Sequence, residues 1–472
     1  MTKKKSVYLV AIGGTGMSAL AGMLKESGFD VSGSDKGLYY PTSELLRELS
    51  VPVKIGYSSD NVPSNIEFAV IGNAVSKNNP EAVEIERRGI KQISFPQALW
   101  EYFIKGKKSV VSAGTHGKTT TSSAIAYLFS RLGEDIGFMI GGVPKDFGKN
   151  YKLGKSSFFV VEGDEYDSAY FDKGPKFLHY MPDYLLLNDV EFDHADIYRN
   201  LEQILGNFSK LVDLVDEKKG GISAFGDSKN VRELIKDAKT PTIRYGFLDK
   251  NDWIIEKVDE EKGEVFVTAK DLGRFSFKTR LIGRHNYANL TGVIALFYLM
   301  GFDVERCAKE IEGFRGVKRR QELVGCVNHI EIYDDFAHHP TAVRKTLEGF
   351  RARFPKRRII AVFEPRSNSS RRKIFEKEYS ESFDDADIVI LSEPYNKNLL
   401  PDKERFSSAE VIERIKSRGR EAYFIENVDS IIMKLVSILK EGDIVVGMSN
   451  GDFGNFHKKL VKKIIQIYQY DS

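Results

Sequence analysis

Cysteine is almost missing from this chain: Cys307 and Cys326 are the only two in 472 residues. They form no C-x-x-C pair and no metal-ligand spacing, which argues against a disulfide-rich scaffold or a thiolate zinc site. A single disulfide stays open, and two buried thiols are the expectation. Strong net charge is missing as well. With 70 basic and 67 acidic residues the formal charge is +3, so no global field argues for a nucleic-acid partner. No apolar run reaches the length of a membrane span, and no membrane partner is expected. The basic, apolar start "MTKKKSVYLVAIGGTGMSALAGML" resembles an export signal, but Gly13, Gly14 and Gly16 break it. It reads as a strand, a glycine turn and a helix, and the chain as cytoplasmic.

What is present is the composition of a folded protein, 42% hydrophobic and 29% charged. The length exceeds one core and predicts two or three domains. No internal repeat or low-complexity segment stands out. Three blocks of alternating strand and helix patterns divide the chain at residues 1–105, 106–314 and 315–472. The first holds "KSVYLVAI", "DVSGSD", "EFAVIGN" and "KQISF". The second holds "SVVSAG", "SSFFVVEGDE", "DYLLLNDVEFDH", "EVFVTAKDLGRFSF", which alternates like an antiparallel strand, and the helix "NYANLTGVIALFYLMG". The third holds "HIEIYDD", "RIIAVFEP", "ADIVILSEP", "EAYFIE" and "DIVVGMSNG". Short apolar strands between helices predict the α/β class, with parallel, doubly wound sheets in all three blocks.

The densest chemistry lies in "SVVSAGTHGKTTTSSAIAYLF". It is a Walker A loop shortened at its start, because Ser112 stands where the first glycine of G-x-x-x-x-G-K-[ST] belongs. The remaining Gly114, Thr115, His116, Gly117, Lys118, Thr119 and Thr120 follow a β-branched run and open an amphipathic helix. Backbone N–H groups and the helix N-terminus suit an anion there, Lys118 suits the β- and γ-phosphates, and the Thr119 hydroxyl suits Mg²⁺. Two later strands end in acids: Glu162, Asp164, Glu165 and Asp167, then Asn188, Glu191, Asp193, His194 and Asp196. Hard oxygens at strand ends suit Mg²⁺, whereas one histidine is too few for structural zinc.

In the first block Gly14-x-Gly16-x-x-Ala19 lies between strand and helix, and Asp35 ends the next strand. This is the dinucleotide fingerprint, but its glycines recognise only a pyrophosphate, so NAD and other diphosphate nucleotides are equally admitted. Further candidates are "GRHNYANL" (His285, Asn286, Asn289), "GVKRRQE" (Arg319, Arg320), "DDFAHHP" (Asp334, Asp335, His338, His339) and "EPRSNSSRR" (Arg366, Ser367, Asn368).

In this order, "GGTGMSALA", "GTHGKTTT", "EGDEYD", "NDVEFDHAD", "GRHNYANL", "GVKRRQE" and "DDFAHHP" resemble the Mur ligase family of cell-wall amide-forming enzymes. Gly163 departs from the usual alanine. The resemblance implies a Rossmann-like UDP-binding domain, a P-loop ATPase-type central domain and a Rossmann-like C-terminal domain. It implies ATP and Mg²⁺ as cofactors, and UDP-N-acetylmuramate, whose lactoyl carboxylate is phosphorylated and then attacked by an amine. Lys118, Glu162 and His194 would be catalytic, with Thr119, Glu162 and His194 holding metal. The phosphate loop with His285, Asn286, Asn289, Arg320 and Asp335 would bind ATP. Gly13, Gly14, Thr15, Gly16, Met17, Asp35 and Asn73 would bind the UDP-sugar.

"GDEYDSAYFDKGPKFLHYMPDYLLLNDVEFDHADIY", "EPRSNS" and "MSNGDFGNFH" look like the branch that adds the recycled murein tripeptide L-alanyl-γ-D-glutamyl-meso-diaminopimelate. That would make His338, Arg366, Ser367 and Asn368 peptide-binding. The alternatives are the branch adding L-alanine, a nicotinamide oxidoreductase and an ATP-gated binding protein. Lys210, near the place of a carbamylated lysine in some relatives, is left without a role, and a monomer is compatible with the sequence.

Overall fold

The computed structural model describes residues 5–39, 41–192, 198–367 and 370–470, which form three domains, each around its own sheet. In the first, β1 (Ser6–Val10), β2 (Asp30–Asp35), β3 (Val53–Ile55), β4 (Phe68–Ile71) and β5 (Lys91–Ser94) are all parallel, in the order β3-β2-β1-β4-β5. Chain order reverses between β1 and β4, which opens a ligand crevice at the carboxyl end of β1.

The central sheet begins with β6 (Lys108–Ala113), β7 (Gly137–Met139), β8 (Tyr151–Lys152), β9 (Phe158–Gly163) and β10 (Tyr184–Leu187). It continues with β11 (Gly221–Phe225), β12 (Thr242–Gly246), β13 (Trp253–Asp259), β14 (Glu264–Ala269) and β15 (Gly273–Lys278). Its order, β15-β14-β13-β12-β11-β10-β6-β9-β7-β8, puts β6 between β9 and β10. The two acidic strand ends therefore flank the phosphate loop. The third sheet holds β16 (Glu322–Val327), β17 (Ile330–Asp335), β18 (Ile359–Phe363), β19 (Ile388–Leu391), β20 (Glu421–Phe424) and β21 (Ile444–Met448), in the order β16-β17-β21-β18-β19-β20.

The expectation of parallel sheets needs correction at β8 and β16, which are antiparallel to their neighbours, whereas the antiparallel β14 and β15 match the alternation of their run. The alternating run expected near 264–278 is two strands, because the chain turns back before Gly273 (φ 82°). β16 and β17 form a hairpin through Asn328 and His329, both at positive φ, which matches the twist of a two-residue turn. Cys326 lies on that edge strand and is exposed, so the expected pair of buried thiols holds only for Cys307; both are free. An edge strand keeps one face wet whatever its sequence.

Hydrophobic packing joins the first two domains. One cluster runs from Met17 and Phe95 through Met139 and Tyr151 to Leu185 and Leu187. The segment after the β9 acids adds polar ties: Ser94 Oγ donates to Asp172 at 2.7 Å, and Tyr170 donates to Gln92 at 2.8 Å. The third domain packs chiefly on its own two clusters.

Candidate active site

β6 is buried from Ser109 to Ala113 and delivers the chain to a loop ending at Gly117. Gly117 has φ 86°, and a Cβ there would lie 3.0 Å from Asn289 Oδ1, so only glycine fits without strain. The helix Lys118–Arg131 starts immediately after, aiming its N-terminus at the loop. Ser112, in place of the missing Walker glycine, is buried, with its hydroxyl 2.5 Å from Thr121 Oγ1. The shortened loop is thus closed by a side-chain bond instead of by extra backbone.

Lys118 Nζ donates to Gly114 O at 2.6 Å and to Thr115 O at 3.2 Å, and pairs with Glu165 at 2.9 Å. Burial works against its charge, but Glu165 and Glu162 outweigh it and hold the ammonium above its ordinary value. Thr119 Oγ1 donates to Glu162 Oε1 at 2.9 Å, and Gly141 N to Glu162 Oε2 at 2.7 Å. Burial pushes the Glu162 carboxyl up, against Lys118. Beside it, burial would also raise Asp164, yet Lys176, at 2.5 Å, holds it low.

From β10, Asn188 donates to Thr121 Oγ1 at 3.1 Å. Glu191 exchanges backbone bonds with the Thr115 hydroxyl at 3.0 Å and touches His116 Nε2. His194 lies outside the described residues, as does Asn368. Lys210 is exposed on the helix Leu201–Asp213.

These groups open into a cavity of about 540 Å³ where the domains meet. The first domain contributes Gly14, Thr15, Gly16, Met17 and Asn73. The central domain contributes Thr115 to Thr120, Glu162, His285, Asn286 and Asn289; the third contributes Arg320, Asp335 and His338. Asn286 Nδ2 is held by Ile282 O at 2.8 Å and Gln321 Oε1 at 3.1 Å. Burial depresses His285 to about 3, so it is neutral. Burial also lowers the Arg320 guanidinium and raises the Asp335 carboxyl, each opposed by the other's charge. Arg320 stacks over Phe336 at 4.8 Å, and Asp335 accepts from Gln321 N and Ala337 N at 2.8 Å each.

Not all the candidates face the cavity. Gly13 and Asp35 lie behind the first loop, where Gly13 N donates to Asp35 Oδ2 at 2.8 Å. Gly114 is behind the phosphate loop, and Arg366 and Ser367 are further along the third sheet. Arg366 binds Asp452 at 2.5 Å and stacks on Tyr395 at 3.9 Å. Lys176, Lys345, Asp452 and Tyr395 went unseen in the sequence reading. Lys176 and Asp452 stand inside stretches that carry the resemblance, Lys345 follows another and Tyr395 follows the strand "ADIVILSEP", but nothing local tells what each side chain will face.

Three family models match the chain: Mur ligase family, catalytic domain, over residues 6–105; Mur ligase middle domain over 113–297; and Mur ligase, glutamate ligase domain, over 319–451. The chain belongs to the Mur ligase family. It is 35% identical over 458 residues to the UDP-N-acetylmuramate–L-alanyl-gamma-D-glutamyl-meso-2,6-diaminoheptandioate ligase of Escherichia coli (strain K12), spanning 96% of this chain and 97% of that one. It is 34% identical to the UDP-N-acetylmuramate–L-alanine ligase of Dictyoglomus turgidum (strain DSM 6724 / Z-1310), over 98% of both. A crystal structure of a murein peptide ligase from Psychrobacter arcticus 273-4 superposes with a TM-score of 0.71 at 32% identity, over 98% of both chains.

Proposed function

We propose that this chain is an ADP-forming ligase that joins UDP-N-acetylmuramate to the tripeptide L-alanyl-γ-D-glutamyl-meso-diaminopimelate in peptidoglycan recycling. The observation that carries the reading is the shared cavity. The first-domain glycine loop, the phosphate loop with Lys118 and Glu162, and Arg320 and Asp335 of the third domain all open into it. A site that only cleaved ATP would not need a second diphosphate loop beside the first.

The γ-phosphoryl of ATP passes to an oxygen of the lactoyl carboxylate, giving an acyl phosphate and ADP. The peptide's free alanyl amine then attacks the acyl carbon, phosphate leaves, and the amine's proton goes to solvent. Lys118 and Arg320 are the fixed cations that meet charge developing on the transferring group, and a half-buried setting makes each worth more than in water. The paired oxygens of Thr119 and Glu162 are hard donors that fit Mg²⁺, with His194 the third expected ligand. Bound there, the ion neutralises phosphate charge. His285, Asn286 and Asn289 line the cavity and would take adenine, the neutral imidazole at its face or edge and the amides by hydrogen bonds. Arg366, with Ser367, is assigned to the peptide's outer carboxylates, which must displace Asp452 to reach it.

ADP release is the test, measured with UDP-N-acetylmuramate and either the tripeptide or L-alanine at equal concentration. A higher kcat/KM for the tripeptide is expected. The reverse result makes the chain an alanine-adding ligase, and no ADP with any amine leaves an ATP-gated binding protein.

A further inference from the structure

We propose that His116, Glu191 and His339 form a binding site for one divalent transition-metal ion of the zinc class, separate from the oxygens of Thr119 and Glu162. Among the described residues these three are the group of metal-ligating side chains whose donor atoms all fall within 4.8 Å of one another. A four-coordinate ion with bonds of about 2.1 Å spaces its ligand atoms roughly 3.4 Å apart. The cluster lies close to that spacing: His116 and Glu191 are in direct contact, and no two of the three donor atoms are more than 4.8 Å apart.

The donors set the class of ion. Two imidazoles and one carboxylate suit Zn²⁺, Co²⁺ or Ni²⁺, whereas Mg²⁺ takes oxygens and keeps its water. His116 and His339 line the cavity, so a fourth position would open into it. Lys345 pairs with Asp189 at 3.5 Å, although its charge also reaches Glu191.

The ligands also come from separate parts of the chain. His116 is in the phosphate loop, and Glu191 follows β10 and is tied to that loop through Thr115. His339 caps the third-domain helix Pro340–Arg353, its Nδ1 accepting from Thr341 N at 3.4 Å. An ion here would pin the third domain to the phosphate loop. Ligation through His339 Nε2 moves the ring proton to Nδ1 and gives up that long capping bond. Two neutral imidazoles and the carboxylate then leave the site with a net charge of +1.

The inference is independent of the ligase reading, and its test needs no turnover. The full chain is titrated with ZnCl₂ in excess Mg²⁺ by calorimetry, and separately with Co²⁺ by visible absorption. One equivalent of zinc, a raised melting temperature and a cobalt d–d band are expected. His339→Asn keeps a good helix cap but removes the imidazole. It should melt at or slightly above the wild-type temperature in EDTA, yet bind zinc more than a hundredfold more weakly, beyond the 10–100-fold typical of outer-sphere partners. Glu191→Gln should lose the cobalt band. Unchanged zinc affinity in His339→Asn, or Mg²⁺ abolishing zinc binding in the wild type, would overturn the site.

Discussion

The molecule contains two glycine-rich turns from strand to helix, one after β1 and one after β6, and they differ in what glycine does. Gly117 is needed by the fold itself, since its left-handed backbone and its contact with Asn289 leave no room for a side chain. Gly14 is not: its φ of −67° is ordinary, and a Cβ there would meet only Ala11 O at 4.0 Å. The first loop keeps glycine where the protein has no steric use for it, which is the mark of a surface that something else approaches closely. The loops also differ in charge. The second has Lys118 and four nearby carboxylates, while among the described residues lining the cavity the first loop brings none. The acid of its fingerprint, Asp35, is spent inward on Gly13 N and, at 3.3 Å, on Gly37 N. That removes the feature by which the pattern would select a nicotinamide dinucleotide's ribose. Equal motifs therefore describe unequal sites, one ringed by charge and one bare of it.

The largest way to test this contrast is Lys118→Ala. Loss of a fixed cation at the transferring phosphate should slow ADP formation by about 10²–10³-fold with the fold intact. Near-normal turnover would mean that the two loops are both mere binding turns.

The contrast extends to pH. His285, on the phosphate-loop side, is held neutral with its pKa near 3 against an ordinary 6.5. A depressed group contributes stability that is complete above pH 6.5 and is lost as pH falls toward 3. Urea melts of His285→Gln should therefore show a flatter acid limb over that window, by a few kcal/mol across it. Identical slopes for the variant and the wild type would show that His285 is not buried neutral.

Smaller effects separate the glycines. Gly117→Ala should cost about 1–2 kcal/mol of stability, because a Cβ is forced into the left-handed region. Gly14→Ala should leave the stability within about 0.5 kcal/mol of wild type, as unstrained surface changes do. The same variant should weaken the melting shift produced by UDP-N-acetylmuramate, and NAD should produce no shift in either protein. If Gly14→Ala lowers the melting temperature as much as Gly117→Ala does and leaves the ligand-induced shift unchanged, the two loops are alike after all.

Local order was legible in the residues. Alternation of apolar strands and helices, the G-K-T at a strand–helix junction and the acidic strand ends are patterns of a few adjacent positions. Each follows from backbone geometry that those positions set. The three-block α/β architecture followed from the same signals. Edges were less legible: β8 and β16 are short or bulged, half-exposed pieces, so neither period nor composition distinguished them from loop, and Cys326 went with them.

Tertiary structure alone decided which charges meet. Lys118 is paired with Glu165, 47 residues away, and Asp189 with Lys345 from another domain. Arg366 is answered by Asp452, 86 residues on, and stacked on Tyr395. A carboxylate reads the same in sequence whether solvent or a lysine faces it. What separates the two cases is the strand order of the sheets, since it sets β9 and β10 on either side of β6 and β21 beside both β17 and β18. The sequence by itself determined the kinds of chemistry this protein carries and the turns that present them. Their pairing came only with the sheets, because charges far apart along the chain interact through distance in space, and distance along the chain does not report it.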